Sequence, residues 1–210
     1  MSKSVLVLGS GGHAAVVVDM LRQLNYDIVG LVAQDQPVAL PVFDGLIWYS
    51  SDNDVLSFDK DTILLINAIG SLPGQNTRFK IYDKFKELGY HFATLVSPSA
   101  IVSDYALLFE GVQVMPGAIV NVNARIGENS IINSGAIVEH DCVIGCHNHI
   151  APGAVLSGGV VTNEYVHIGT GAKVVQSIHI GEHTIIGAGA TVNKHLDSKK
   201  TLYVAKPFLR

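Results

Sequence analysis

From Val96 onward the chain repeats a single hydrophobic motif. Stepping by six residues gives Val96, Val102, Leu108, Val114, Val120, Ile126, Ile132, Val138, Ile144, Ile150, Leu156, Thr162, Ile168, Val174, Ile180, Ile186 and Val192, and 16 of these 17 are aliphatic. The position four residues after each is mostly small, as at Ala118, Ala124, Ser130, Ala136, Ala154, Ala172 and Ala190, and glycine often follows the aliphatic residue, as in Ile126-Gly127 and Ile144-Gly145. A strand alternates with a period of two and a helix with about 3.6, so a sustained period of six fits neither. The pattern predicts a parallel β-helix. Each hexad forms one short face, three hexads close a triangular coil, the aliphatic side chain fills the interior and small residues let the corners turn. Coils stacked roughly 4.8 Å apart would make a prism about 25–30 Å tall.

The first part of the chain has a different pattern. Val5-Leu6-Val7-Leu8 is a buried-type strand, followed by Gly9-Ser10-Gly11-Gly12-His13 and an apolar helical stretch over Ala14 to Leu24. Ile28 to Val32 forms a second strand and Thr62 to Ile69 a third, and Arg78 to Leu88 forms a helix closed by Gly89. This alternation predicts a parallel α/β sheet, a Rossmann-like half domain over residues 1–95, ahead of the β-helix over 96–210 with its C-terminal tail. Gly9 to Ala14 satisfies G-x-G-x-x-[GA] at a strand-to-helix turn, where backbone amides and the helix dipole favour an anion. A dinucleotide fold needs two βαβαβ halves and there is room for one, so a smaller phosphate-bearing ligand is expected, with a purely structural turn as the other reading.

Composition narrows the function. Charged residues make up 15% of the chain, below the usual share of about 25%, which favours an oligomer. A formal charge of −4 leaves no basic excess for a nucleic-acid partner. No apolar run is long enough to cross a membrane, and Val5 to Leu8 is too short for a secretory core, so a cytoplasmic address is expected. Cys142 and Cys146 are read as reduced thiols, Cys142 at a small interior position and Cys146 facing out. His149 and His167, and likewise His147 and Tyr165, lie 18 residues apart and should occupy equivalent points on adjacent coils. A two-histidine metal site is the sharper alternative there, but no carboxylate repeats at that point, so no metal is expected.

Taken together, Gly9-Ser10-Gly11-Gly12-His13, Asn67-Ala68-Ile69-Gly70, Ser97-Pro98-Ser99-Ala100 and Val138-Glu139-His140-Asp141-Cys142 give the whole chain a resemblance. It resembles the sialic-acid O-acetyltransferase-like family of sugar acyltransferases, built on the left-handed hexapeptide-repeat β-helix. That family includes bacterial enzymes that N-acetylate nucleotide-linked 4-amino-4,6-dideoxy sugars. The resemblance implies a homotrimer, a nucleotide-linked sugar on the N-terminal domain and acetyl-CoA in a groove between neighbouring β-helices. By motif match it makes His140 the general base and Asp141 the residue that orients it. It relates His149 to the acetyl-CoA thioester region, and Gly158, Thr170 and Ala188 to backbone contacts with the cofactor. Gly11, Gly12, His13, Asp35 and Gly70 become candidates for the sugar nucleotide, and Lys173, Lys194, Lys199 or Lys206 for the cofactor phosphates.

The chemistry of His140 agrees with this role. An imidazole titrates near neutrality, and two places after an interior aliphatic residue it should stand by a corner, away from the core. The expected reaction is direct transfer: His140 accepts the proton of an attacking sugar amine while a backbone N–H stabilises the oxyanion, with no covalent enzyme intermediate. O-acetylation of sialic acid or another sugar hydroxyl is the alternative, and a noncatalytic β-helix scaffold is the rival class. Two departures from the family stand out. Ala33-Gln34-Asp35 replaces an acidic pair that usually contacts the nucleotide, and Ala205-Lys206-Pro207-Phe208-Leu209 replaces the usual G-x-P-A-[KR]. Thr162, at an interior position, and Asn148, at a small one, mark irregular coils.

Overall fold

A computed structural model describes residues 4–204. The tail motif that begins at Ala205, with Lys206, lies outside the described residues. The chain divides into two compact units, Met1–Pro98 and Ser99–Arg210.

In the first unit, β1 (Ser4–Leu8), α1 (Gly12–Gln23), β2 (Asp27–Val32), β3 (Trp48–Tyr49), β4 (Leu64–Asn67), α2 (Thr77–Glu87) and β5 (His91–Phe92) follow one another in sequence. The strands form one parallel sheet in the order β3-β2-β1-β4-β5. Helix α1 buries Ala14, Val17, Val18 and Leu21, the i, i+3, i+4, i+7 stripe of an amphipathic helix. Leu6, Leu8, Val32, Leu65, Tyr82, Phe85 and Phe92 form a core in which aromatic rings from α2 and β5 pack together, Tyr82 against Phe92 at 4.5 Å. Two findings differ from the sequence reading. Two-residue β3 and β5 extend the sheet beyond the three expected strands, and helix α1 begins at Gly12, so His13 belongs to its first turn rather than to the loop.

The sheet order reverses direction at β1. The chain moves from β1 to β2 and β3 on one side, then returns to place β4 on the other. Such a reversal opens a crevice outside the carboxyl ends of the two central strands, which here are β1 and β4.

The second unit is a left-handed parallel β-helix whose two-residue strands pair at a spacing of 18, as in Ile137↔Val155 and Val138↔Leu156. Three ladders result. One runs from Ile101–Val102 to Thr191–Val192, a second from Leu107–Leu108 to His179–Ile180, and a third through Gln113–Val114, Ile131–Ile132, His149–Ile150, His167–Ile168 and Ile185–Ile186. The second residue of each strand points inward, and Val120, Ile126, Ile132, Val138, Ile150, Leu156 and Ile168 are all buried. The last turn is two residues short, because Leu202 pairs with Ile186 and Leu196 bridges Ile180.

The corners work differently from the expectation that small residues make the turn. The turning residue lies three after the interior aliphatic and has positive φ, while the small residue that follows packs inside the corner. One corner uses glycine throughout, at Gly117, Gly135, Gly153, Gly171 and Gly189; the other two also accept Asn123, Asn129, Asp141, His147, Tyr165, Ser177 and His183 at φ between 54° and 60°.

The irregular coils now have a physical cause. Asn148 Nδ2 donates to Thr162 Oγ1 at 2.6 Å and to the Asn163 carbonyl at 2.9 Å, and Asn148 Oδ1 accepts the Val166 amide at 2.6 Å. The Asn148 amide donates in turn to Ser130 Oγ, whose hydroxyl donates to the Gly145 carbonyl. Thr162 and Asn148 are therefore partners in a buried polar ladder, which is how polar atoms are tolerated in such a core.

Candidate functional sites in the two units

In the first unit, Gly9, Ser10, Gly11, Gly12 and His13 line a cleft of about 380 Å³ opposite Ala68, Ile69 and Gly70. These are the segments leaving the carboxyl ends of β1 and β4. A Cβ on Gly9, whose φ is +121°, would sit 3.0 Å from the Ala68 carbonyl, so the two segments approach backbone to backbone. Gly11 is the N-cap of α1 and has no side chain to cap the first-turn amides, the arrangement that accepts an anionic group. Around Gly11 and Gly12 the space is open: a Cβ at either would meet nothing within 4 Å. Gly70 stands beside His13. Asp35 is exposed in the segment after β2 and is not among the residues lining this cleft. Trp48 was passed over in the sequence; its indole N–H donates to the Ala33 carbonyl at 2.9 Å and so anchors that segment.

In the second unit, His140 and Asp141 occupy an exposed corner. His140 Nδ1 and Asp141 Oδ2 are 2.8 Å apart, and Asp141 Oδ1 accepts from Asn123 Nδ2, one coil below, at 3.1 Å. Hydrogen bonds from His140, first, and from Asn123 hold the Asp141 carboxyl below its ordinary range. A carboxylate on Nδ1 makes that nitrogen the protonated one and leaves Nε2 as the acceptor. Asp141 has a φ of 60°, a conformation that Asp tolerates better than most residues, and this turns its side chain back toward the preceding imidazole. Gly158 lies on the same corner one coil on. A Cβ there would sit 2.5 Å from His140 Cε1 and 2.6 Å from Nε2. Gly158 therefore gives the imidazole its room, a role that the sequence spacing of 18 contained but that was not read from it.

His149 is buried on the third ladder. Asn133 Nδ2 donates to its Nε2 at 2.9 Å, and the His167 ring lies edge-on at 4.9 Å. Burial lowers the pKa of His167, whose Nδ1 is enclosed without a hydrogen-bond partner. His147, Tyr165 and His183 form a ladder of parallel rings at 4.9 and 4.6 Å along a different corner. Thr170 and Ala188 are exposed on the glycine corner, where the Thr170 carbonyl accepts the Gly189 amide. Burial raises the Cys142 thiol to about 11 and also raises Cys146, so neither is an activated nucleophile. Among the described residues, no group of three or more His, Cys, Asp or Glu side chains could hold a metal, and no helix is long and apolar enough to cross a membrane.

The chain matches the PglD N-terminal domain over residues 4–85 and the bacterial transferase hexapeptide, six repeats, over residues 123–158. No curated protein sequence matches it. Among solved structures it is similar to the acetyltransferase domain of PglB from Neisseria gonorrhoeae in complex with acetyl coenzyme A, with 27% identity over 96% of both chains and a TM-score of 0.86. It is also similar to a variant of perosamine N-acetyltransferase from Caulobacter crescentus in complex with CoA and GDP-perosamine, with 32% identity over 94% of this chain and 92% of that one and a TM-score of 0.84. PerB from the same organism, in complex with the same two ligands, gives 34% identity over 94% and 92% and a TM-score of 0.83. The two-unit fold, the glycine-lined cleft and the histidine on the β-helix corner thus come together in a chain that belongs to the hexapeptide-repeat, CoA-dependent acetyltransferase family, closely related to the bacterial nucleotide-sugar N-acetyltransferases.

Proposed function

We propose that this protein transfers the acetyl group of acetyl-CoA to the amino group of a nucleotide-linked 4-amino-4,6-dideoxy sugar. The observation that carries the reading is the His140–Asp141 pair on its exposed corner, with Nε2 left as the acceptor. The neutral amine attacks the thioester carbonyl, and His140 Nε2 takes the proton the nitrogen loses. A backbone N–H stabilises the oxyanion. The C–S bond then breaks, and the proton passes to the departing CoA sulfur. Asp141 holds the ring in one tautomer and favours the imidazolium while it carries that proton.

The cleft at the carboxyl ends of β1 and β4 takes the phosphate-bearing part of the acceptor, with Gly11, Gly12, His13 and Gly70 at its wall. Asp35 contributes to the choice of base from outside that wall. His149, Gly158, Thr170 and Ala188 belong to the acetyl-CoA side, Gly158 through the space it leaves His140. The working form is a homotrimer, a reading supported by apolar side chains that point outward from the β-helix, with Ile101 66%, Leu107 49% and Val143 40% exposed. The reaction belongs in the cytoplasm, in keeping with two unpaired thiols.

The test is free-thiol release from acetyl-CoA, with product mass, across UDP-, dTDP- and GDP-linked 4-amino-6-deoxy sugars and free sialic acid. The expected result is rapid release with one amino-sugar nucleotide and a product heavier by one acetyl group. Acetylated sialic acid would replace the reading with O-transfer, and no release from any acceptor would remove it.

A further inference from the structure

Arg78, in the first turn of α2, is 7% exposed. Its Nη1 donates to the carbonyls of Asn67 and of Ile69, the latter at 2.8 Å. The tie is reciprocal, since Asn67 Nδ2 donates back to the Arg78 carbonyl at 2.8 Å. Asn67 Oδ1 also receives the Ile69 amide at 3.4 Å, closing the segment on itself. Burying a guanidinium is costly, and here Nη1 is spent on the segment that forms one wall of the cleft. Desolvation lowers its pKa to about 9, which leaves it charged at neutral pH.

The placement has two consequences. Carbonyls beyond the carboxyl end of a parallel strand are the wrong groups to offer a phosphate, and Arg78 engages two of them in that segment. It also sets a positive charge in a low-dielectric interior beside Ile69, across the cleft from the first turn of α1, where its field is weakly screened. We infer that Arg78 is a positioning residue for the acceptor, holding Asn67–Gly70 in the form that admits a nucleoside diphosphate and setting affinity for that ligand. The inference rests on the cleft being the nucleotide-sugar site proposed above.

Arg78→Lys keeps a charge, but its ammonium ends one atom short of Nη1, the single nitrogen that meets both carbonyls. The experiment measures KM for the accepted sugar nucleotide and for acetyl-CoA, calorimetric binding of UDP, dTDP and GDP, and Tm, on the wild-type chain and this variant. Loss of a charge-assisted hydrogen bond predicts a rise of roughly tenfold in acceptor KM and in the Kd of the preferred diphosphate, with acetyl-CoA KM within about twofold. A purely structural residue would lower Tm and leave the acceptor KM of the folded protein unchanged, and that result overturns the inference. If Arg78→Lys does not fold, Asn67→Ala, which removes the return bond of the same tie, is measured in its place; a rise in acceptor KM supports the inference and an unchanged one overturns it. Wild-type protein that binds none of the three diphosphates and accepts none of the sugars defeats the reading of the cleft and the inference with it, whereas binding by wild type and variant alike defeats the inference alone.

Discussion

The two units build their candidate sites from different materials. In the first, the cleft is made largely of backbone: glycines at the end of β1, uncapped amides at the start of α1, and the segment after β4 held from behind by Arg78. In the second, backbone serves the repeat, and chemistry enters through side chains standing at corners, His140 and Asp141 above all. A backbone site binds shape and charge and changes little with sequence. A side-chain site on a periodic scaffold can be gained or lost at one position without disturbing the coil. The proposed function thus divides the labour, with binding in the irregular unit and proton transfer in the regular one.

Gly158→Ala should sharpen that division most. Gly158 has no positive φ, so the backbone accepts alanine and the nearest obstacle is the imidazole ring, 2.5 Å from the new Cβ. The ring must swing away from Asp141. A displacement on that scale predicts a fall in kcat of about 10²-fold with Tm nearly unchanged, checked by steady-state kinetics beside a thermal melt.

Asn148→Ala addresses the scaffold instead. It strands the Val166 amide inside the β-helix and takes a donor from the Thr162 hydroxyl and the Asn163 carbonyl, which predicts a loss of about 2–3 kcal/mol in denaturant unfolding. A change below about 0.5 kcal/mol would mean that the ladder contributes little beyond what an apolar core would supply.

The smallest effect concerns pH. The unfolded His167 imidazole titrates near its ordinary value of 6.5 and the folded one lower, because burial disfavours the charged form. Below that ordinary value the unfolded chain binds the extra proton, so this stability is fully present above about pH 6.5 and falls away as the pH drops toward the folded value. His167→Gln should therefore lose less stability than wild type between about pH 7.5 and about pH 5 in denaturant titrations; an identical slope would show that His167 does not contribute to it.

The regular unit was the more legible in sequence, because a period of six repeated 17 times leaves one architecture for the aliphatic positions. The same regularity concealed the site. Every corner is equivalent by spacing, so periodicity placed His140 at a corner but could not say that Asp141 would take a positive φ and turn back onto its ring, nor that Gly158 would stand against it. In the irregular unit the reverse holds. The glycine loop was legible and lines the cleft, whereas β3, Trp48 and Arg78 were not read. Two-residue strands have too little periodicity to detect, and a buried arginine looks like any surface arginine until the carbonyls it meets are known. Asn148 and Thr162 stood out as exceptions to the repeat, but their hydrogen bond links positions 14 residues apart and appears only once the coil is closed.

The most direct test of the division of labour is kcat and acceptor KM measured side by side on His140→Ala and Gly12→Ala. Removing the base predicts a fall in kcat of about 10²–10⁴-fold with acceptor KM little changed. A methyl group at Gly12 would have no protein atom within 4 Å outside the neighbouring backbone but would crowd a bound phosphate, which predicts acceptor KM raised roughly tenfold with kcat retained. Full turnover in His140→Ala, or a Gly12→Ala variant that loses kcat while keeping its acceptor KM, would contradict the account.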